Sequence, residues 1–94
     1  MPTYILLSRL TDDGCKTIKD NAERIKEVNK DVEEMGGRVV SQYALLGDYD
    51  FLNVVEAPDN ETIQKISLEL ASRGTIRIKT MPAVEADQFI NKMK

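Results

Sequence analysis

Polar and apolar residues follow two different periods along this chain, and each change of period marks a predicted element. Residues 4–9 form a short, mostly apolar run of β-favouring residues, which predicts a first strand buried near its middle. From Cys15 to Met35 the apolar residues recur at steps of three and four, which predicts one amphipathic helix. Thr11 is its predicted N-cap, and Gly36 is its stop signal. The predicted buried stripe comprises Cys15, Ile18, Ala22, Ile25, Val28, Val32 and Met35.

The middle of the chain predicts a hairpin and a second helix. Residues 38–46 and 51–57 are β-rich, and the four residues 47–50 between them, Gly-Asp-Tyr-Asp, suit a short turn that begins at the glycine. The two strands should therefore pair antiparallel. Pro58 ends the second strand, and Asp59 is the predicted cap of a helix that extends to about residue 73.

The last quarter of the chain predicts one more strand and a short helix. Residues 75–81 alternate isoleucines with basic residues, which is the period of a half-buried strand, and Pro82 should interrupt it. Ala86, Phe89, Ile90 and Met93 then fall at helical spacing, which predicts a peripheral third helix.

The order β-α-β-β-α-β predicts an α+β fold of the ferredoxin-like kind. If both crossovers are right-handed, both helices lie on one side of an antiparallel sheet of strand order 4-1-3-2, in a two-layer sandwich. Because no linker, repeat or low-complexity segment interrupts this order, residues 1–94 are assigned to a single domain. One face of the sheet is left without helices.

This open face is predicted to be partly apolar and partly polar. Arg77 and Lys79 should lie on it, since the isoleucines between them should face the helices. Asn53 is the polar residue of its strand and is predicted to lie there too. The other residues predicted on the open face are Ser41, Tyr43, Leu45, Phe51 and Val55, whereas Leu52 and Val54 are predicted to face the helices. An apolar patch of this size usually marks an interface, which predicts a homodimer or a higher homo-oligomer.

A cleft between two stacked sheets is the predicted place for a small acidic or polar ligand. Its candidate ligand-binding residues are Tyr43, Tyr49, Asp50, Asn53, Arg77 and Lys79. The alternative for the two basic residues is that they pair with carboxylates or extend into water. For the corner residues, the simplest interpretation is that Asp50 caps backbone amides of the turn and that Tyr49 packs over the sheet edge.

Composition excludes several classes of partner. Of the 94 residues, 41% are hydrophobic and 31% are charged, and the net charge is -3 with basic residues scattered among acidic ones, so nucleic acid is not an expected partner. No apolar stretch is long enough to span a bilayer and no signal peptide is visible, so the expected compartment is the cytoplasm and no membrane partner is expected. The single cysteine, Cys15, is predicted to be a buried and inert thiol.

The residues available for chemistry are few. The chain has no histidine, which excludes Ser-His-Asp and Cys-His catalysis and makes zinc or haem ligation implausible. The Asp-Tyr-Asp sequence lacks the further spaced acids of a calcium loop, and no phosphate-binding glycine loop is present. No cofactor, no metal and no catalytic residue are therefore predicted.

The segment 46–59, Leu-Gly-Asp-Tyr-Asp-Phe-Leu-Asn-Val-Val-Glu-Ala-Pro-Asp, resembles the signature of the GYD domain family. Thr11 with Gly14, Arg24, Gly36 and Gly74 also resemble the family's layout along nearly the whole chain, as does Thr80 in the last strand. The resemblance implies a ferredoxin-like fold of the dimeric α/β-barrel type without an established activity. Relatives in that superfamily include haem-degrading and quinone-forming monooxygenases and ligand-sensing domains, but the histidines of several of those enzymes have no counterpart here.

Three functional hypotheses follow. The first is a non-catalytic oligomeric domain that binds a small molecule or a protein partner in the inter-sheet cleft. The second is a cofactor-independent enzyme of the monooxygenase or isomerase sort, in which Tyr49 and Asp50 form a polar pair in a deep, dry pocket. The third is a purely structural association module whose cleft is filled by its own side chains.

Overall fold

The structure is a computed structural model that describes residues 1–94, and it contains one four-stranded antiparallel sheet of order β2-β3-β1-β4. The strands are β1 (Thr3–Leu10), β2 (Arg38–Ala44), β3 (Phe51–Glu56) and β4 (Ile76–Ala83), and the helices are α1 (Asp12–Asp20), α2 (Arg24–Glu34), α3 (Asn60–Ser72) and α4 (Ala86–Met93). Read from the other edge, this is the predicted order 4-1-3-2. The predicted α+β fold with its antiparallel sheet is therefore confirmed.

The first helix is broken into two, which the sequence did not predict. An unbroken helix from Asp12 to Glu34 would be about 34 Å long, whereas an eight-residue strand spans about 26 Å. The chain leaves helical geometry at Asn21, where φ is -149° and ψ is 86°, and resumes it at Arg24. Both shorter helices can then lie over the sheet. The break also interrupts the predicted stripe at Ala22, which is exposed, whereas Val28, Val32 and Met35 pack in or around the core as predicted.

Cys15 is a second correction within this region. The sequence predicted a buried thiol on the apolar stripe, but the structure places Cys15 on the exposed side of α1. Gly14, one residue earlier, is the buried residue of this helix. α1 is only nine residues long and ends at Asp20. The close approach of Gly14 to the rest of the protein, rather than a long apolar stripe, therefore determines which side of this helix faces the sheet.

The core lies between the sheet and the helices α2 and α3. Val28, Met35, Val39, Ile76 and Ile78 are partly buried residues that pack around it. Its fully buried residues are Tyr4, Leu6, Val32, Val55, Ala57, Ile63, Ile66 and Leu70. Among the strands, only the central pair, β1 and β3, contributes fully buried residues. These two strands and the helices above them therefore provide most of the hydrophobic stabilisation.

Asp59 caps α3 as the sequence predicted. The N–H of Thr62 donates to Asp59 Oδ1 at 2.8 Å, and φ and ψ of Asp59 are extended. Hydrogen bonds from Thr62 hold the pKa of Asp59 below its ordinary value of 3.8, because they favour the charged carboxylate. The bond from the Thr62 side chain has the larger effect and the bond from its backbone N–H the smaller one. The charge of Asp59 therefore stabilises the folded state above the ordinary pKa, and this contribution is lost as the pH falls through the lower folded value.

An Asp59→Asn variant tests this linkage. Asparagine keeps the capping acceptor but cannot titrate, so we expect the variant to be slightly less stable than the wild type at pH 7. The difference in Tm should close as the pH is lowered below 3.8, measured by circular dichroism at constant ionic strength. A difference that stays constant from pH 7 to about pH 3 would contradict a depressed pKa at Asp59.

The start of α1 is joined to the turn between α3 and β4. Thr11 N–H donates to the carbonyl oxygen of Thr75 at 3.0 Å, and the Thr11 hydroxyl donates to the carbonyl oxygen of Gly74 at 2.8 Å. A Cβ atom on Gly14 would overlap the Thr75 carbonyl oxygen, so only glycine allows this approach. The joint holds α1 against β4 and closes one end of the layer of helices.

The last strand runs through Pro82, contrary to the prediction that this proline would interrupt it. β4 continues to Ala83, and Pro82 lies opposite Tyr4 of β1. Because β4 is an edge strand with a neighbour on only one side, a residue without an N–H is tolerated there.

The predicted third helix is present as α4, and it is not packed into the core. None of its residues is buried, and Phe89 and Met93 remain 60% and 71% exposed. The molecule is accordingly elongated, with principal extents of 50 × 29 × 18 Å. None of the helices has the length and apolar character required to cross a membrane.

Candidate functional site

Asp50 ties the corner between β2 and β3 to the central strand β1. Its carboxylate oxygen Oδ2 accepts the Leu10 N–H at 2.8 Å, and its own N–H donates to the carbonyl oxygen of Ser8 at 2.8 Å. The Leu45 N–H donates to the carbonyl oxygen of Asp50 at 2.7 Å. Asp50 thus caps a backbone amide as predicted, but the amide belongs to β1 rather than to the turn. Its role here is to fix the position of the corner.

Tyr49 lies close to two cations on the open face of the sheet. Arg9 Cζ is 5.1 Å from the centre of the Tyr49 ring, and Lys79 Nζ is 5.8 Å from it. Both distances are within the range of cation–π attraction. The sequence predicted Lys79 at this site but missed Arg9. Alternation along β1 could have predicted Arg9 on the open face, because Arg9 follows the buried Ser8. In the structure Arg9 pairs with Arg77 of β4.

The centre of the open face is apolar. Residues of β1 and β3 that alternate with the buried ones form this centre, and Tyr43 and Met81 flank it at 58% and 40% exposure. The central residues are Ile5, Leu7, Leu52 and Val54. All four are half-buried in the single chain, and the helices that pack on the sheet, α1, α2 and α3, lie on its other face. An uncovered apolar sheet face is therefore a property of the folded chain, as predicted, although several of its predicted members are different.

The predicted orientation of β3 is wrong by one residue. Val55 is only 1% exposed and packs in the core, so Phe51, Asn53 and Val55 face the helices. Leu52 and Val54 occupy the open face instead. A single polar residue misled the prediction, because Asn53 is turned into the protein rather than toward water.

The last part of β2 has the predicted residues on the open face because the strand contains a bulge. Val39 lies opposite Val55 and Ser41 lies opposite Val54, so Val40 is an extra residue in the ladder. This bulge reverses the alternation, and Ser41 and Tyr43 come to the open face although Val39 faces the core.

Within one copy of the chain, the six residues predicted to bind a ligand do not all lie together. Tyr49, Arg77 and Lys79 lie together at one end of the open face, and Tyr43 lies on the opposite edge strand, roughly 14 Å away across three strand spacings. Asp50 is engaged at the corner, and Asn53 lies on the other side of the sheet. Neither Tyr49 nor Asp50 lines the cavity between the sheet and helices α1–α3 or the cavity beside α3 and β4.

A cavity of about 320 Å³ lies between the sheet and the three helices α1, α2 and α3. Its lining residues from the sheet include Ser8, Phe51 and Asn53, and those from the helices include Ile18 and Ile25 on either side of the helix break. Asn53 lines this cavity, while its Oδ1 atom is fully buried and has no hydrogen-bond partner.

Two arginines line the same cavity, and each is paired with a carboxylate. Arg24 contacts Glu27 at 2.8 Å, and Arg73 contacts Asp31 at 2.7 Å. The Arg24 side chain is 41% exposed and the Arg73 side chain is 28% exposed, which places both at the rim. The charge at the entrance is therefore largely neutralised. Nowhere does the structure assemble three side chains from cysteine, aspartate or glutamate in an arrangement suited to a metal ion.

The fold defines a protein of the ferredoxin-like α+β class, and solved structures share it. A crystal structure of a Thermus thermophilus protein aligns with a TM-score of 0.60 at 22% identity, covering 92% of this chain and 96% of that chain. The crystal structure of MtbAldR aligns with a TM-score of 0.68 at 18% identity over 89% of this chain and 52% of its own. These similarities establish the fold alone.

The chain belongs to the GYD domain family, whose model matches residues 4–93. This confirms the resemblance found in the sequence. A protein of Thermus thermophilus is 53% identical over 95 residues, covering 100% of both chains. That relative is named glutamine synthetase and cystathionine beta-lyase binding protein.

Proposed function

We propose that this chain is a non-catalytic protein that binds metabolic enzymes, with glutamine synthetase and cystathionine β-lyase as the first candidates. The observation that carries this proposal is the 53% identity to the Thermus relative, which extends over the full length of both chains. An end-to-end match includes every surface of the fold and not only a core motif. The exposed apolar surfaces of the chain supply the contact area that binding of a large protein needs.

A second copy of this chain is the proposed occupant of the open face. Four strands of up to eight residues present on the order of 500 Å² of sheet face per copy, so two stacked faces approach the roughly 1,000 Å² that a specific interface requires. Leu7, Leu52 and Val54 would lie at its centre, where removal from water stabilises most.

The charges on the open face favour one orientation of the two copies. Arg9, Arg77 and Lys79 gather at one end, and Glu56 lies at the other end beside Arg38, with 3.7 Å between Glu56 Oε1 and Arg38 Nε. A parallel stack would place cations over cations. A two-fold axis that makes the strands of the two copies run in opposite directions separates the two cationic ends. The cationic end of each copy then lies over the end of the second copy that carries Glu56. In this arrangement Tyr43 and Tyr49 also contact the second copy.

The α4 segment is the proposed contact for the partner enzyme. An eight-residue helix is too short to be stable in isolation, so its amphipathic form points to a surface on which it packs. Its apolar side consists of Phe89, Ile90 and Met93, which are 48–71% exposed and lie one helical turn or less apart. This is the pattern of a helix that inserts into an apolar groove of another protein. The open face remains free for the second copy.

Binding to purified glutamine synthetase and cystathionine β-lyase from the same source tests the function. We expect saturable binding in isothermal titration calorimetry, and we expect Phe89→Asp to weaken it by at least about 10-fold, since a charge would be buried in an apolar contact. Gln88→Asp is the matched control, because it adds the same charge to the opposite side of α4 and should bind as the wild type does.

Two outcomes would contradict the proposal in different ways. If the wild-type protein binds neither enzyme, the purely structural association module becomes the better interpretation. If Phe89→Asp dissociates the copies of the chain from one another while enzyme binding persists, α4 belongs to the self-interface instead. Sedimentation of each variant alone, run beside the titrations, separates these two results.

A further inference from the structure

We propose that Arg9, Arg77 and Lys79, at one end of the open face, bind a phosphate group. These three residues form the cationic end of the face. The site goes beyond the proposed enzyme binding, because it lies on the sheet and shares no residue with α4. It keeps two of the cations that the sequence predicted for an acidic ligand and adds Arg9, and it is complete within one chain.

The first observation is the opposition of like charges across the sheet. Arg9 of β1 lies directly opposite Arg77 of β4, and Leu7, two residues before Arg9, lies opposite Lys79. Lys79 is therefore a diagonal neighbour of Arg9. Directly opposed residues of an antiparallel pair have Cβ atoms about 5 Å apart, and like charges at such positions destabilise the pair. A bound anion would replace this repulsion by attraction.

The second observation is that no carboxylate neutralises these three cations. The ion pairs of the chain are all made by other basic residues. At the neighbouring corner, Asp50 uses its Oδ2 atom to accept the Leu10 N–H, and Asp48 is exposed and forms no ion pair. Because the chain as a whole carries a net charge of -3, composition does not explain a concentration of positive charge at one end of the sheet.

The third observation is that Tyr49 holds two of the cations in place. Arg9 Cζ and Lys79 Nζ lie 5.1 Å and 5.8 Å from the centre of the Tyr49 ring. The ring is itself restrained, because the next residue, Asp50, is hydrogen-bonded to β1 at two points. Long basic side chains that are already restrained lose less conformational entropy when they bind a ligand.

The chemistry of the three groups favours phosphate over carboxylate. A phosphate monoester carries about -1.5 to -2 charge at pH 7 and three acceptor oxygens, whereas a carboxylate carries one charge and two oxygens. Guanidinium groups bind phosphate through two parallel N–H···O bonds, and an ammonium group adds a point charge. Two neighbouring guanidinium groups and one ammonium group therefore match a phosphate group in charge and in the number of donors.

The site stays accessible in the proposed two-fold dimer. β4 is an edge strand, and residues 47–50 lie beyond the end of β3, so the cationic end is at the rim of the open face rather than at its apolar centre. Glu56 of the second copy would face it, but Glu56 Oε1 already lies 3.7 Å from Arg38 Nε. A single shared carboxylate leaves most of the positive charge available to a ligand.

Titration of the full-length protein with inorganic phosphate and with phenyl phosphate, at constant ionic strength, tests the site. We expect saturable binding in isothermal titration calorimetry, with NMR shifts confined to β1, β4 and residues 47–50. The tighter of the two probes distinguishes the free ion from a phosphate ester as the source of the group. Benzoate, which replaces the phosphate of phenyl phosphate by a carboxylate, should bind at least about 10-fold more weakly. Since no enzyme is present, failure here is distinct from failure of the proposed enzyme binding.

Arg77→Gln and Lys79→Gln each remove one positive charge from an exposed position of the edge strand. We expect each to weaken phenyl phosphate binding by at least about 10-fold. In phosphate-free buffer we expect Arg77→Gln to raise Tm by about 2 °C, because it removes the opposed charge. Lys30→Gln is the matched control. Lys30 is exposed on α2, so the same change in net charge there should leave phosphate binding as it is in the wild type.

Four results would overturn the inference. The first is the absence of saturable binding of both phosphate probes at millimolar concentration, which would show that the cations are simply solvated. The second is equal weakening by Lys30→Gln, which would assign the effect to net charge. The third is benzoate binding as tight as that of phenyl phosphate. The fourth is a lower Tm or weaker self-association of Arg77→Gln in phosphate-free buffer, which would show that these cations pair with carboxylates of a second copy.

Discussion

Replacement of Leu7 by glutamate is expected to convert the proposed homodimer to a monomer, with the dissociation constant raised by at least about 100-fold. Leu7 lies in the centre of the open face, opposite Leu52 on one neighbouring strand and Lys79 on the other. In a two-fold dimer each substitution introduces two carboxylates into the contact. Burying unpaired charge costs several kcal/mol, so the interface cannot form around it. Sedimentation velocity over a range of concentrations measures the change.

Leu68→Glu is the matched control for this experiment. Leu68 is a large apolar residue that is 72% exposed on α3, on the opposite side of the sheet from the open face. The same substitution there should leave the dimer intact. If Leu68→Glu dissociates the protein and Leu7→Glu does not, the layer of helices rather than the sheet is the self-interface. A monomeric wild type at micromolar concentration would contradict the proposed dimer itself.

The Gly14→Ala variant is expected to lose about 3 kcal/mol of the free energy of unfolding, near the top of the range for overpacked positions. The added Cβ would overlap the backbone carbonyl oxygen of Thr75, and a backbone atom in a turn cannot move aside as a flexible side chain does. Thr11 holds that turn through two hydrogen bonds, so relief of the overlap must displace α1 as a whole.

Urea denaturation at a fixed protein concentration measures this loss, and the corresponding fall in Tm is about 15 °C for a chain of this size. Cys15→Ala is the control, since Cys15 is exposed on the same turn of α1 and its replacement should change stability by less than about 0.5 kcal/mol. Equal stability of both variants would show that α1 is not docked against Thr75 as described.

Regular patterns made most of the fold predictable, and irregular ones caused the errors. The cap at Asp59 and the end near residue 73 predicted α3 correctly, because local sequence and tertiary packing agree there. The first helical pattern extended across Asn21, where no proline or glycine marks a break. The length of the sheet, which no local pattern encodes, limits each helix that lies over it.

The candidate site shows the same division. The corner Gly47-Asp48-Tyr49-Asp50 was recognisable from its residues and from the family resemblance, and Lys79 was predicted on the same face as Tyr49. The placement of Asn53 was not predictable, because a polar residue in a strand ordinarily indicates the solvated side. Only the register of β3 against β1 and β2 reveals that this side chain enters a cavity.

The sequence by itself determined the order of elements, the antiparallel sheet, the helix caps and the absence of histidine chemistry, because each depends on residue type and short-range spacing. Tertiary structure decided which face of β3 is buried, where the first helix breaks, and that Arg9 joins Lys79 around Tyr49. The physical reason is that strand register and the close approach at Gly14 are fixed by contacts between residues far apart in the chain. A shift of one residue in register exchanges the two faces of a strand.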